Sequence, residues 1–272
     1  GDLPDANSGD RIADIVATQL VFAALPTDVG ATNGDVVSGT AFETQPVLQA
    51  QDADGQIDTH FTDTLSLTTD AGGILSGTTS LQATGGVATF TDVTYTATQD
   101  GQSFALVAAD QAGGSGGDLP DANSGDRIAD IVATRIAFAT LPADDRADNG
   151  DVVSGIAFAT QPLLQATDDN GQIDRDTAGS LTLEVSTGSV ALIGTNAVAW
   201  SGGQVDFTSS GLGVTTANDG SVFALGATSG DLTEATTGEL TTDIVATQLV
   251  FAALPTDVGA TNGDVVSGTA FE

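Results

Sequence analysis

The chain has 272 residues and contains no cysteine, no methionine and no lysine. Without cysteine it has neither disulfides nor a thiol nucleophile, and without lysine it has neither Lys–Asn cross-links nor a lysine base. It shows no signal peptide and no apolar run long enough to span a bilayer, so we expect no membrane insertion of this segment. Because methionine is absent even at position 1, we expect the chain to be an internal part of a longer protein.

Positive charge is nearly missing as well. Five arginines stand against 37 acidic residues, which gives a formal net charge of −32. A surface of this sign repels nucleic acids and anionic lipid headgroups, so neither is expected as a partner. Charged residues make up only 15% of the chain and hydrophobic residues 40%, which is not the composition of a disordered chain.

One segment, Asp14–Glu43, occurs three times. It returns unchanged as Asp243–Glu272, and a looser copy lies at Asp130–Ala159. The segment before it is also repeated, because Gly1–Val16 is identical to Gly117–Val132. Self-similarity of this kind indicates a repeat array. The sequence therefore predicts four parts: residues 1–16 as the closing strand of a preceding repeat, 17–132 as a first repeat, 133–245 as a second repeat, and 246–272 as the start of a third.

Each repeat has the pattern of short β-strands. In Thr18–Leu25, Leu20 and Phe22 alternate against Gln19 with a period of two, which is typical of a half-buried strand. Ile74–Leu81 and Val87–Tyr95 are predicted as a pair of strands separated by two glycines, and Asp100-Gly101 is predicted as a hairpin turn. No window of a dozen residues has helical periodicity. We therefore predict an all-β protein of tandem β-sandwich domains.

The predicted core follows from the same alternation. Phe22 and Phe138 are expected to be buried equivalents in the two repeats, as are Phe104 and Phe223. Trp200 is the single tryptophan, and core or sandwich-edge packing is the favoured interpretation over a ligand platform.

An acidic turn recurs in both repeats and leaves two interpretations open. Alternating oxygen donors around a glycine suit calcium, but Asp-Gly and Asn-Gly are also the favoured turn dipeptides, and the twelfth-position Glu of an EF-hand is absent. The candidate calcium ligands are Asp52, Asp54 and Asp58 in the first repeat and Asp168, Asp169 and Asp174 in the second.

Catalysis has little support in the sequence. The single histidine, His60, has no histidine counterpart in the second repeat, where Thr177 or its neighbours take its place. No His–carboxylate pair is repeated, and close pairs of acids are expected by chance in so acidic a chain. The chain is predicted not to be an enzyme.

Several stretches together resemble the tandem Ig-like repeats of very large bacterial surface proteins and adhesins. They are ATQLVF, SGTAFETQPVLQAQDADGQ, GILSGTTSLQATGGVATF and FALVAAD. The resemblance covers both complete repeats. It implies an Ig-like fold, a linear array of domains, and an extracellular or cell-surface location. It also implies a spacer role in a fibre, stalk or adhesin, with neighbouring repeats or identical subunits as partners.

Calcium at domain junctions is a further implication of the resemblance. The connection between the two repeats offers four carboxylates as candidate ligands, with solvated linker acids as the alternative interpretation: Asp118, Asp121, Asp126 and Asp130. No other cofactor is expected.

Two other functions remain as alternatives. A pilus-like filament could assemble by strand donation between incomplete domains, because both ends of the sequence read as partial repeats. A glycan- or surface-binding module would need exposed aromatic side chains, and the chain has one tryptophan and one tyrosine.

Overall fold

The computed structural model describes residues 13–32, 34–111 and 118–253. These residues form 23 β-strands and no helix, which confirms the predicted all-β class. Among them, no helix has the length and apolar character needed to cross a membrane. Most of the predicted closing strand at residues 1–16, and residues 254–272 of the predicted third repeat, lie outside the described part.

Twelve strands belong to the first repeat. They are β1 (Gln19–Ala24), β2 (Val36–Val37), β3 (Val47–Gln51), β4 (Thr64–Thr69), β5 (Ile74–Ser76), β6 (Ser80–Gln82), β7 (Val87–Thr89), β8 (Thr94–Thr96), β9 (Gln102–Phe104), β10 (Leu106–Asp110), β11 (Ala122–Asn123) and β12 (Arg127–Asp130).

Eleven strands belong to the second repeat. They are β13 (Arg135–Thr140), β14 (Val152–Val153), β15 (Leu163–Thr167), β16 (Ser180–Thr187), β17 (Ala191–Ile193), β18 (Ala197–Ala199), β19 (Gln204–Asp206), β20 (Gly213–Thr215), β21 (Val222–Thr228), β22 (Ala235–Thr236) and β23 (Leu240–Asp243).

The sheets follow the same plan in both repeats. In the first, one sheet has the order β1-β3-β7 and a second has the order β11-β10-β4-β6, with β2-β12-β9 and β5-β8 completing the structure. In the second, β13-β15-β19 corresponds to β1-β3-β7, and β17-β20 corresponds to β5-β8. The sheet β14-β23-β21-β16-β18, with β22 beside β21, combines the equivalents of the two remaining sheets of the first repeat. Nearly all pairs are antiparallel, as short connections allow.

Each repeat has its own hydrophobic core. In the first, Leu48 of β3 and Leu65 of β4 are fully buried and meet between two sheets, which is the packing of a β-sandwich. Leu164 of β15 and Leu181 of β16 do the same in the second. The two sets of core residues are separate.

The predicted aromatic equivalents differ in their burial. Phe104 and Phe223 are 2% and 0% exposed, which confirms that prediction. Phe22 and Phe138 are equivalent but only half-buried, although Leu20 and Ile136 on the same strands are buried. A β-bulge follows each of them, which turns the strand end away from the core.

The predicted strand pair Ile74–Leu81 and Val87–Tyr95 is four short strands instead. β5 pairs with β8, whereas β6 pairs with β4 and β7 with β3. The chain changes sheet at Gly77, where φ is +87° and a Cβ would lie 2.1 Å from the carbonyl oxygen of Asp92. A side chain cannot be accommodated there, so the strand ends. The hairpin predicted at Asp100-Gly101 is likewise wrong: a turn is present, but β8 and β9 pair with other strands.

The connection between the repeats is built into the first of them. β11 pairs with β10, and β12 pairs antiparallel with β9 and parallel with β2. β22 and β23 occupy the same places in the second repeat. The segment that precedes each copy of the repeated stretch thus supplies strands to the sandwich before it.

Candidate functional site

The junction between the repeats is organised around Asp100. This residue lies in the turn between β8 and β9, which Gly101 permits with a φ of +69°. One carboxylate oxygen, Oδ1, accepts a hydrogen bond from the backbone N–H of Ile131 in the connection, at 2.9 Å. The other, Oδ2, accepts one from the N–H of Arg175 in the second repeat, at 3.0 Å. A single side chain therefore joins the first repeat, the connection and the second repeat.

Asp174 fixes the start of the second repeat from the other side. Its Oδ2 accepts the N–H of Ala133 at 2.9 Å, and its Oδ1 accepts those of Asp176 and Thr177 at 3.1 and 3.0 Å. Three backbone N–H groups therefore donate hydrogen bonds to this buried carboxylate. Asp58 makes the equivalent bonds in the first repeat, with the N–H of Ala17 at 3.1 Å.

Three carboxylates come together at this junction. Oxygens of Asp100, Asp174 and Asp176 all lie within 4.8 Å of one another, and among the described residues this is the one such group of His, Cys, Asp or Glu side chains. The hydrogen bond with Asp174 raises the pKa of Asp176 to about 7, helped by partial desolvation and by the charges of Asp174, Asp130 and Asp100.

The predicted calcium turns serve mainly to cap the backbone. Asp52 Oδ1 accepts the N–H of Asp54 at 3.0 Å and that of Gln56 at 2.8 Å. Asp168 Oδ1 does the same in the second repeat, at 3.0 and 2.7 Å. These are Asx-type turns closed by the acid's own side chain.

Of the six predicted turn ligands, only Asp174 belongs to the three-carboxylate group, within the part of the chain that the structure describes. The other five do not converge into such a group: Asp52, Asp54, Asp58, Asp168 and Asp169.

The four linker acids also lie apart. Asp118, Asp121 and Asp126 are exposed. Asp130 is 1% exposed, and its Oδ2 accepts the backbone N–H of Thr32 at 2.6 Å and the Thr32 hydroxyl at 3.1 Å. Its Oδ1 is buried without a hydrogen-bond partner. Asp130 therefore anchors the loop before β2 on the last strand of the same repeat.

The entrance of the first repeat carries a related pair. Asp14 Oδ1 and His60 Nδ1 lie 3.2 Å apart, and both side chains are exposed. By their spacing from the start of each repeat, these two residues correspond to Asp130 and Asp176. The same two positions thus hold an acid and an imidazole at one end of the first repeat and two acids at the other.

A narrow cleft of about 250 Å³ separates the facing loops at the junction. Gly39 allows the close approach, because a Cβ at this position would lie 3.3 Å from Asn170 Nδ2. The cleft is lined by Val37, Ser38, Gly39, Thr40, Val132, Thr134, Asp168, Asp169 and Asn170.

Neither of the two largest ring systems offers a face to solvent. Trp200 is 8% exposed, packs in the core as predicted, and donates its Nε1–H to Ser229 Oγ at 2.8 Å. Tyr95 is fully buried and stacks on Phe104 with a centroid distance of 3.9 Å. Stacking platforms for a sugar ring are therefore not formed by these two residues.

No protein-family model matches the chain, and no curated protein matches it. Among solved structures, it is similar to a beta-glycosidase from Bacteroides vulgatus (13% identity, 83% of this chain, 24% of that chain, TM-score 0.27). It is also similar to a glycosyl hydrolase family 2 member from Bacteroides cellulosilyticus (13% identity, 83% and 28% covered, TM-score 0.30) and to Parabacteroides merdae beta-glucuronidase (14% identity, 81% and 25% covered, TM-score 0.28). The chain spans about a quarter of their length. Similarity at these TM-scores carries no conclusion about activity.

Sequence reasoning did not single out Asp100 or Asp176 as site residues. The signal that could have found Asp100 is its recurrence, because Asp219-Gly220 follows β20 as Asp100-Gly101 follows β8. Asp219 Oδ1 accepts the N–H of Ile244 at 2.9 Å, as Asp100 Oδ1 accepts that of Ile131. Asp176 has no comparable signal, since the first repeat has histidine at that position.

Proposed function

We propose that this chain is a structural module: a pair of β-sandwich repeats that serves as a spacer in a long extracellular surface fibre, stalk or adhesin. The observation that carries the proposal is the Asp100 carboxylate, which receives backbone N–H groups from both the connection and the next repeat. A hydrogen bond to a charged acceptor is stronger than one between neutral groups. The side chain is thus placed to limit rotation of one repeat against the other.

The second repeat supports the same proposal. It ends on Asp219 and Asp243, which hold backbone N–H groups of Ile244 and Asp148 in the manner of Asp100 and Asp130 in the first repeat. The end of each repeat thus binds the segment that follows it, and its own early loop, through equivalent aspartates. The residues at the ends of the two repeats are alike, whereas Trp200 and Tyr95 each occur in only one of the repeats. This favours a role in joining units over a role in binding a ligand.

The experiment measures motion between the repeats. The chain has no cysteine, so Thr91→Cys and Thr208→Cys, both at exposed loop positions, place one spin label in each repeat without side reactions. Asp100→Ala removes two hydrogen bonds worth about 0.5–3 kcal/mol each, depending on their charge assistance. We expect the distance distribution between the labels to broaden.

The matched control is Asp219→Ala. It removes the equivalent acceptor from the end of the second repeat, where no bond to the first repeat is lost. If Asp100→Ala and Asp219→Ala leave the same distribution as the unsubstituted chain, the repeats are not held at this junction and the spacer proposal loses its basis.

A further inference from the structure

The connection leaves the first repeat between two loops. Its last strand, β12, lies between β2 and β9. At the exit, Asp130 of β12 pairs with Val37 of β2, and Gln102 of β9 pairs one residue earlier. The loop after β2 (residues 38–40, the β2 loop) and the turn before β9 (residues 98–101, the β9 turn) therefore flank the exit on opposite sides. Both face the second repeat.

The β9 turn is bonded to the second repeat. Asp100 in this turn accepts the backbone N–H of Arg175 at 3.0 Å with its Oδ2. With its Oδ1 it accepts the N–H of Ile131 in the connection at 2.9 Å. Because both bonds end on one carboxylate, the repeats cannot separate on this side without losing a charge-assisted hydrogen bond.

The hydrogen bonds of the β2 loop stay within its own repeat. The N–H groups of Ser38 and Gly39 and the hydroxyl of Thr40 donate to backbone carbonyls of the first repeat, which are those of Asp130, Tyr95 and Val37. Within residues 34–111 and 118–253, no hydrogen bond joins this loop to the second repeat. The cleft of about 250 Å³ lies between them instead. Separation on this side therefore breaks no hydrogen bond.

Approach on the same side is limited by Gly39. Its φ is +79°, and a Cβ at this position would lie 3.3 Å from Asn170 Nδ2 of the second repeat. Asn170 Nδ2 in turn donates to Asp168 Oδ2 at 3.3 Å, so the amide is held on its own loop. The two loops are thus nearly in contact at this point, and the repeats have little room to move closer here.

We propose that the junction is a one-sided hinge, in which the second repeat pivots about Asp100 and moves away from the β2 loop. Movement in the opposite direction is stopped where Gly39 meets Asn170. Val37 and Val132 line the cleft, so opening it hydrates apolar surface and gives a weak restoring force. The inference rests on the proposed function and deepens it, because a spacer built this way is stiff toward one side of the junction and compliant toward the other.

Two pairs of spin labels on the full chain measure motion on the two sides. Thr40→Cys with Asp169→Cys places labels across the cleft. Gln99→Cys with Arg175→Cys places labels beside Asp100. All four labelled residues are exposed, and the chain has no native cysteine. We expect a broad distribution that extends to longer distances across the cleft, and a narrow distribution beside Asp100.

Variants at the point of contact test the stop. Gly39→Asn adds a side chain toward Asn170, and asparagine is among the residues that best tolerate a positive φ. We expect it to shift the distances across the cleft to longer values and to leave those beside Asp100 in place. Gly155→Asn is the matched control, because Gly155 has a φ of +85° and, in the described part of the chain, no atom within 4 Å of a Cβ. Asn170→Ala removes the stop and should shift the same distances to shorter values.

The outcomes separate the hinge from the proposed function. Unequal widths on the two sides, with opposite shifts in Gly39→Asn and Asn170→Ala, would support the hinge. Distributions of equal width, or the same distances across the cleft in Gly39→Asn and Gly155→Asn, would refute it. If Asp100→Ala still broadens the distribution beside Asp100 in that case, the proposed function stands without the hinge. If Asp100→Ala leaves that distribution as narrow as before, the proposed function itself fails.

Discussion

Replacing Phe104 by alanine tests whether the two sandwiches are energetically separate. Phe104 ends β9, is 2% exposed, and stacks on Tyr95 with an interplanar angle of 12°. Its truncation is expected to cost about 3–5 kcal/mol, the usual range for a buried aromatic. The stack contributes about 0.5–1.5 kcal/mol beyond burial, so we expect the upper part of that range. A domain of ordinary stability has about 5–15 kcal/mol in total, so the first repeat should be strongly destabilised.

The chain contains its own probe for the assay. Trp200 is the single tryptophan and lies in the core of the second repeat, so its fluorescence in a urea titration reports that repeat. Circular dichroism reports both. In Phe104→Ala, one part of the dichroism transition should move to lower urea while the tryptophan transition stays in place. Phe223→Ala, at the equivalent position, should do the reverse.

An equal shift of both signals in Phe104→Ala would refute the reasoning. It would mean that the repeats unfold as one cooperative unit despite separate cores. Phe104→Leu serves as the control, because it keeps most of the apolar volume while removing the ring stack, and it should cost clearly less than alanine.

Two further predictions concern the junction carboxylates. The pKa of Asp176 is raised from 3.8 to about 7, so the folded state holds the proton more tightly than the unfolded state; the resulting stability is present below about pH 4 and lost as the pH rises to about 7. Urea midpoints measured by tryptophan fluorescence should fall over this pH range in the unsubstituted chain and in Asp145→Asn, which is an exposed control. The midpoint of Asp176→Asn should not fall. A fall that persists in Asp176→Asn would mean that the titrating group is not Asp176. If calcium binds, we expect it to raise the temperature at which half of the protein is unfolded, and a chelator to reverse that rise. Asp176→Asn should abolish the effect and Asp54→Ala should leave it intact, because three carboxylate groups converge at the junction and not at the turn. Loss of the effect in Asp54→Ala alone would favour the turn.

Several parts of the fold could be predicted because their cause is local. The placing of Leu20 and Phe22 two residues apart after Gln19 depends only on the period of a strand, and β1 lies where that period indicates. The recurrence of Asp52 and Asp168 in the same motif indicated a turn, and in both repeats the side chain closes that turn on its own backbone.

Other parts depend on contacts distant in sequence. The division of residues 74–96 into four strands follows from the fit of Gly77 against the backbone of Asp92, which no periodicity expresses. The convergence of Asp100 with Asp174 joins residues from different repeats, and it requires both the turn after β8 and the packing of one sandwich on the next. Composition alone could not predict that Asp130 is buried while Asp126 is exposed.

The placement of β12 determines how the first repeat would respond to a pull along the chain. β12 leaves the repeat beside β2 in parallel and beside β9 in antiparallel register, and it is hydrogen-bonded to both. Tension transmitted through the connection acts along the axis of this strand, across the antiparallel bonds to β9, which lie perpendicular to it, and the slanted parallel bonds to β2. Those bonds are loaded in shear and must break together, instead of breaking one after another. Asp100, which accepts the N–H of Ile131 directly after β12, and Asp130, which ends β12 and accepts the N–H of Thr32, add resistance at the same point.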